Sequence, residues 1–130
     1  MGDRKLPGIA AEDIGRSAYG IFKRGGEFIG KTVGIAGEHL TGEEMAAALS
    51  RALREPVVHN AVTPEQYRAL GFPGADDLGN MFQFKSDFND DFRAPRSVQF
   101  TRSLNPQLQT FGQWLAANAN RIPLAERAAA

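Results

Sequence analysis

The stretch Thr41–Gly71, TGEEMAAALSRALREPVVHNAVTPEQYRALG, decides the fold class. Thr41 and Glu44 form a capping box, in which each side chain answers a backbone N–H that the first helical turn leaves unpaired. Met45, Ala48, Leu49, Ala52 and Leu53 then recur three and four apart, so a helix with one apolar stripe starts here, and Pro56 ends it. Val57 to Val62 follows, an apolar run rich in β-branched residues that reads as a strand. Thr63-Pro64-Glu65-Gln66 opens another helix, with Thr as cap, Pro at the first helical position and Gln at the third, and Gly71 closes it. Helix, strand and helix in succession predict an α/β arrangement.

The alternation extends upstream. Pro7 to Ala10 suits a short extended piece, and from Glu12 onward Ile14, Ala18, Ile21 and Phe22 recur at helical spacing until Gly25-Gly26 stops them. Thr32–Ala36 is a short run bounded by glycines that fits a buried strand. A helix crosses between it and Val57–Val62, so the two strands are expected to be parallel.

Downstream, ADDLGNMFQFKSDFNDDF (75–92) places Leu78, Met81, Phe82, Lys85, Phe88 and Phe92 on one face of a helix. Asp76 and Asp77 stand near its start, where negative charge suits the helix dipole. After the loop RAPRS, Asn105-Pro106 and Thr110-x-x-Gln113 are further helix-start signals, and Phe111, Trp114 and Leu115 anchor a terminal helix. The expected fold is a small, mainly helical α/β lobe with two short parallel strands. It forms a single domain over residues 1–130, with a frayed tail at 123–130.

Composition bounds the function. Of 130 residues, 42% are hydrophobic and 23% charged, enough for one core. Fifteen basic residues balance fifteen acidic ones, so no net charge or basic run draws the chain to nucleic acid or anionic lipid. Without cysteine there is no thiolate nucleophile, disulfide or sulfur-ligated zinc. The polar start, interrupted by Pro7, reads as neither signal peptide nor membrane span, and a cytoplasmic location follows by elimination.

Few residues offer chemistry. Tyr19 and Lys23, in SAYGIFK, have the Tyr-x3-Lys spacing of a reductase pair, in which an ammonium lowers the phenol pKa. His39 and His59, the one placed in a turn and the other in mid-strand, lack the spacing of a metal site. Asp76, Asp77, Asp87, Asp90 and Asp91 lack the glycine and terminal glutamate of a calcium loop, and read as a solvated helix face. Phe82, Phe84, Phe88, Phe92 and Phe100, with Met81 and Tyr67, are more aromatic surface than one helix pair needs. Core packing is one account of them and a ligand cleft is the other. On a continuous helix Phe84, Phe88 and Phe92 share a stripe from which Phe82 departs, so the two sets face different surroundings.

Several ordered blocks, AAEDIGRSAYGIF, GEFIGKTVGIAGEHLTGEEMAAALSRALREPV, YRALGFPGADDLGNMFQF and TRSLNPQLQTFGQWLAANANRI, resemble the carboxyl-terminal portion of the NmrA-like family, the atypical short-chain dehydrogenase/reductases. The resemblance runs from about Leu6 to Ile122. It implies a substrate lobe that in the family closes over a Rossmann region binding NAD(P). The segment GFPGADDLGNMFQF matches the part lining the substrate cleft, which makes Tyr67, Phe72, Met81, Phe82 and Phe88 candidate substrate-binding residues. Within that set Met81, Phe82 and Phe88 are expected nearest the ligand, with Phe84 and Phe92 toward a partner or the lobe's edge. A flat hydrophobic or aromatic molecule such as a quinone is the implied ligand.

The resemblance also places Tyr19 and Lys23 in the family's Asp-Ile-Gly helix rather than a catalytic one, so their spacing is a coincidence. There Asp13 is expected to help start the helix and Gly15 to allow close packing. No Gly-x-Gly-x-x-Gly sits between a strand and a helix, so no cofactor is expected in this chain, and NADP only if a separate Rossmann partner supplies its site. On this reading Met1 corresponds to an internal position of longer relatives. Three accounts stay open: a self-associating small-molecule-binding or interaction module, not catalytic alone; a subunit or fragment of an NAD(P)H-dependent oxidoreductase whose Rossmann half is in another chain; and a truncated product with no independent role. A homo-oligomer suits the first and a heteromer the second; no nucleic acid or membrane partner is expected.

Overall fold

Seven helices and a two-stranded antiparallel ladder account for the regular structure of residues 2–124, the part of the chain described by the computed structural model. The order is β1 (Leu6–Gly8), α1 (Ala11–Lys23), β2 (Glu38–Leu40), α2 (Gly42–Leu53), α3 (Pro64–Arg68), α4 (Ala75–Asp87), α5 (Asn89–Arg93), α6 (Val98–Leu104) and α7 (Phe111–Asn118). Single 3-10 turns follow α1 and α7. The lobe is mainly helical with a small sheet, as expected, and most of the tail expected to fray lies outside the described residues.

Capping chemistry sets the helix starts. Thr41, Thr63 and Thr110 each accept from the N3 backbone N–H while Glu44, Gln66 and Gln113 reach back to the cap, so α2, α3 and α7 all open with complete capping boxes. At its other end α2 stops at Leu53, before Pro56, because Arg54 turns left-handed at φ 56°. The aromatic segment is two helices, not one. Phe88 leaves helical geometry, and the buried Asn89 fills the break, its side-chain amide donating to the carbonyls of Lys85 and Lys5, both at 2.9 Å. Ser97 caps α6, in a region the sequence reading left without a helix, and Asn105-Pro106 makes the turn after it instead of starting a new one.

The sheet corrects the sequence in position and direction. Its strands pair Leu6 with Leu40, Pro7 with His39 and Gly8 with Glu38, antiparallel rather than parallel. Neither Thr32–Ala36 nor Val57–Val62 is a strand. Ala36 donates its N–H to Thr101 Oγ1 at 3.0 Å, and Gly34 passes so close to the Pro95 carbonyl that a Cβ would collide with it. Val57 bonds through both backbone groups to Ser50 Oγ on α2. Both segments therefore spend backbone bonds on side chains instead of a ladder. The short extended piece predicted near Pro7 is β1.

Helix α1 docks on α6 with its polar side inward. Asp13 and Ser17 are fully buried, and a Cβ on Gly20 would strike the Leu104 carbonyl. Part of the apolar stripe is turned away: Ile14 is 48% and Phe22 77% exposed, while Ala18 and Ile21 are half-buried. Gly15 meets nothing within 4 Å, so the close packing expected of it belongs to Gly20. Asp13 does sit in the first turn, but its carboxylate does more than start the helix. Oδ1 accepts from Asn105 Nδ2 at 2.9 Å and Arg16 Nη1 at 3.0 Å; Oδ2 accepts from the Gln109 backbone N–H at 2.9 Å. It thus pins α1 to the turn between α6 and α7. Leu104, Leu108 and Leu115 pack the core beside it.

Candidate functional site

The capping box of α2 sets the phase of its stripe, bringing Met45, Ala46 and Leu49 to one side of a cleft of about 380 Å³. The opposite wall is Val57–Val62, hung from α2 by Ser50, whose Oγ also donates to the Ala46 carbonyl at 2.9 Å. Tyr67 from α3 and Phe82 from α4 close the end. Their rings meet edge-on with centroids 5.3 Å apart, and Phe72 stands edge-on to Tyr67 at 5.8 Å.

This end is rigidly supported. Gly79 lies under the Arg68 side chain, and the guanidinium donates to Asn80 Oδ1, Gln83 Oε1 and Glu65 Oε1 at 3.0–3.1 Å, tying α3 to α4. Lys85 Nζ lies 5.6 Å from the centre of the Phe82 ring. His59 sits at the rim against Gly42, its Nδ1 3.5 Å from Glu43 Oε1. His59 Nε2 and the Asn60 side chain have no hydrogen-bond partner among the described residues, so they are the polar groups open to a ligand.

Of the five candidate residues, the structure joins Tyr67, Phe72 and Phe82 in one ring cluster, and Tyr67 and Phe82 line the cleft. Met81 and Phe88 line neither of the two apolar clefts found. Phe88 instead pairs with Phe84, centroids 5.2 Å apart, each about half exposed at the break between α4 and α5. Phe92 lies between Lys85 and Arg96, whose cationic groups stand 5.2 and 4.1 Å from its ring centre. The single stripe expected of Phe84, Phe88 and Phe92 is interrupted by that break.

A second cleft, about 350 Å³, adjoins the first, with Leu6 and Met45 in the lining of both. Its other walls are Ile9 to Glu12, Leu40, Phe111 and Trp114. The sequence reading missed it; the Thr110 capping box, which puts Phe111 and Trp114 on one side of the first turn of α7, was the available signal. Glu38 Oε2 accepts from the Phe111 N–H at 2.9 Å and the Gln109 backbone N–H donates to Asp13, while the Glu12 carboxylate and the Trp114 indole N–H have no hydrogen-bond partner among the described residues.

The remaining candidates are structural or solvated. Tyr19 is 65% exposed, and Lys23 Nζ sits 5.6 Å from its ring centre; neither residue lines a cleft. His39 lies in β2, not a turn, and His59 lies in an irregular segment, not a strand. His39 accepts from Arg93 Nε at Nδ1 (3.1 Å) and so carries its proton on Nε2, which donates to the Arg96 carbonyl at 2.8 Å. Asp90 pairs with Arg93, and Asp76 and Asp77 sit in the first turn of α4. Among the described residues, no three His, Asp or Glu side chains are grouped to hold a metal ion, and no helix is long and apolar enough to cross a membrane.

The chain is similar to a known protein over part of its length and to a family model over most of it. It is 42% identical over 53 residues to the NmrA-like family domain-containing protein 1 of Rattus norvegicus, an alignment covering 41% of this chain and 29% of that relative. The match therefore spans under a third of the curated relative. The family model for the NmrA-like family matches residues 2–115, and on that match the chain belongs to the NmrA-like family.

Proposed function

We propose that the chain is a small-molecule-binding or interaction module, corresponding to the substrate lobe of an NmrA-like protein, that takes a hydrophobic or aromatic molecule in the Tyr67–Phe82 cleft. The observation that carries this reading is the cleft itself. Hydrocarbon and ring surfaces line it, and His59 Nε2 and Asn60 stand free at its rim to meet a ligand oxygen. Its volume of about 380 Å³ lies within the range of small-ligand sites, about 300–1,000 Å³.

The module is not catalytic alone on this reading, and no cofactor site is assigned to it. A dinucleotide pyrophosphate needs backbone donors at a glycine-rich turn opening a helix. Here the strand-to-helix step at β2 and α2 presents Thr41 and Glu44 closed on each other, and α3 and α7 are capped in the same way. An NADP site would come from a separate Rossmann partner. The outward apolar stripe of α1, with Phe22 77% exposed, supports association, and we propose a homo-oligomer in the cytoplasm. The same stripe favours the second reading, an oxidoreductase subunit whose NAD(P)-binding half is in another chain and covers it.

Calorimetric titration of menadione into the wild type and into Phe82→Ala tests the binding claim. Light scattering after size exclusion, with and without NADPH, tests the assembly. Saturable binding that Phe82→Ala abolishes, to a homo-oligomer indifferent to NADPH, is the expected result. A monomer, or a species whose mass changes with NADPH, would favour the second reading, and no saturable binding, or binding that Phe82→Ala leaves intact, would overturn the cleft assignment.

A further inference from the structure

Two apolar faces of the lobe are exposed, and the charges around them are opposite in sign. On α1, Tyr19 is 65% and Phe22 77% exposed, and Ile29, just beyond the helix, is 82% exposed. Around this end of α1 the charges are basic. Lys23 Nζ stands 5.6 Å from the Tyr19 ring centre, and the cationic groups of Arg24 and Lys31 each stand 5.9 Å from that of Phe28. The carboxylate among them, Glu27, is answered by Arg24 at 3.8 Å. On α4, Leu78, Met81 and Phe84, with Phe88 at the helix end, follow three and four apart and are 36–53% exposed. Asp77, Asp87 and Asp91 beside them are exposed and have no ion-pair partner among the described residues. Lys85, the single cation of α4, is half-buried and held over the Phe82 and Phe92 rings.

We infer that the α1 face docks on the α4 face of a second copy of this chain. This rests on the homo-oligomer proposed above and names the surfaces that join. Phenylalanine, tyrosine and methionine are the residue types enriched at the centre of protein interfaces. Within one chain the two faces do not meet, because α1 packs on α6 while α4 packs on α3 and α5, and each face is open to solvent. Pairing like with like would set Lys23, Arg24 and Lys31 against their own copies, or the aspartates against theirs, and like charges across an interface oppose association. With α1 against α4, cations meet carboxylates around a desolvated apolar centre.

Phe22→Asp and Phe84→Lys each place on one face a charge that the opposing face repels. Both rings are more than half exposed, so unaltered thermal melts are expected; should either variant melt lower, serine at the same position repeats the test. Light scattering after size exclusion should find each variant alone at the mass of a single chain. Mixed in equal amounts, the two should recover a 1:1 complex of twice that mass, because the first keeps its α4 face and the second its α1 face. A homo-oligomer that either variant leaves intact, or two monomeric variants that do not recombine, overturns the α1–α4 contact while the homo-oligomer stands. A monomeric wild type overturns both.

Discussion

Replacing Asp13 tests whether one carboxylate holds the lobe together. It is fully buried, and its partners Asn105 and Gln109 lie 92 and 96 residues along the chain, so it joins the first helix to the last third of the molecule. Asp13→Ala strands the Asn105 amide, in a residue 4% exposed, and the Gln109 N–H. Each buried donor left unpaired costs about 1–3 kcal/mol, while Arg16, half exposed, recovers its hydrogen bond from water. The two sum to about 2–6 kcal/mol, a large share of the roughly 5–15 kcal/mol that holds a domain of this kind. Asp13→Asn keeps the shape and one acceptor oxygen, but turns an N–H₂ toward donors, and should cost about 2–3 kcal/mol.

Protonation of the same group gives the reasoning a second readout. Burial raises the Asp13 pKa, but the hydrogen bonds from the Gln109 backbone, Asn105, Arg16 and the Gln109 side chain outweigh it and hold the carboxyl below the ordinary aspartate value. Because the folded pKa is the lower one, this stabilisation is complete above the unfolded value of about 3.9 and is lost as pH falls through the folded value. Urea unfolding of wild type and both variants at pH 7 and pH 3 measures it. The advantage of wild type over Asp13→Asn should shrink at pH 3. An Asp13→Ala loss under about 1 kcal/mol, or an advantage independent of pH, would refute the argument.

Further outcomes follow from the packing. Gly15→Ala, in open space on α1, should stabilise by about 0.5–1 kcal/mol, whereas Gly20→Ala, which drives a methyl into the Leu104 carbonyl, should destabilise by about 1–3 kcal/mol; denaturant midpoints of the two give opposite signs. Ser17→Ala should raise the melting temperature, because the Ser17 hydroxyl is buried without a hydrogen-bond partner among the described residues and removing it gains about 1 kcal/mol. Phe84→Ala should leave stability within about 1 kcal/mol of wild type, since that ring is half exposed. Phe82→Ala, which opens the contact with Tyr67, should cost about 3 kcal/mol in thermal melts and abolish menadione binding in calorimetry.

What the sequence determined by itself is what acts within a few residues. Thr41, Thr63 and Thr110 satisfy donors three positions away, so α2, α3 and α7 start where their caps stand whatever else the chain does. The resemblance grouped Tyr67, Phe72 and Phe82, whose rings do meet, with Met81 and Phe88, which line neither cleft. Only the tertiary structure decided the rest. A strand exists only with a partner, and Val57, at the head of the Val57–Val62 segment, found Ser50 rather than a neighbour to pair with; the ladder fell instead to Leu6–Gly8 and Glu38–Leu40. The apolar periodicity of α1 was legible, yet its direction was not. A carboxylate with waiting donors and a glycine able to touch a carbonyl turned the polar side inward. The cleft beside Trp114, too, exists because β1, α1, α2 and α7 converge, and residues so far apart in the chain leave no mark of that meeting in the local pattern.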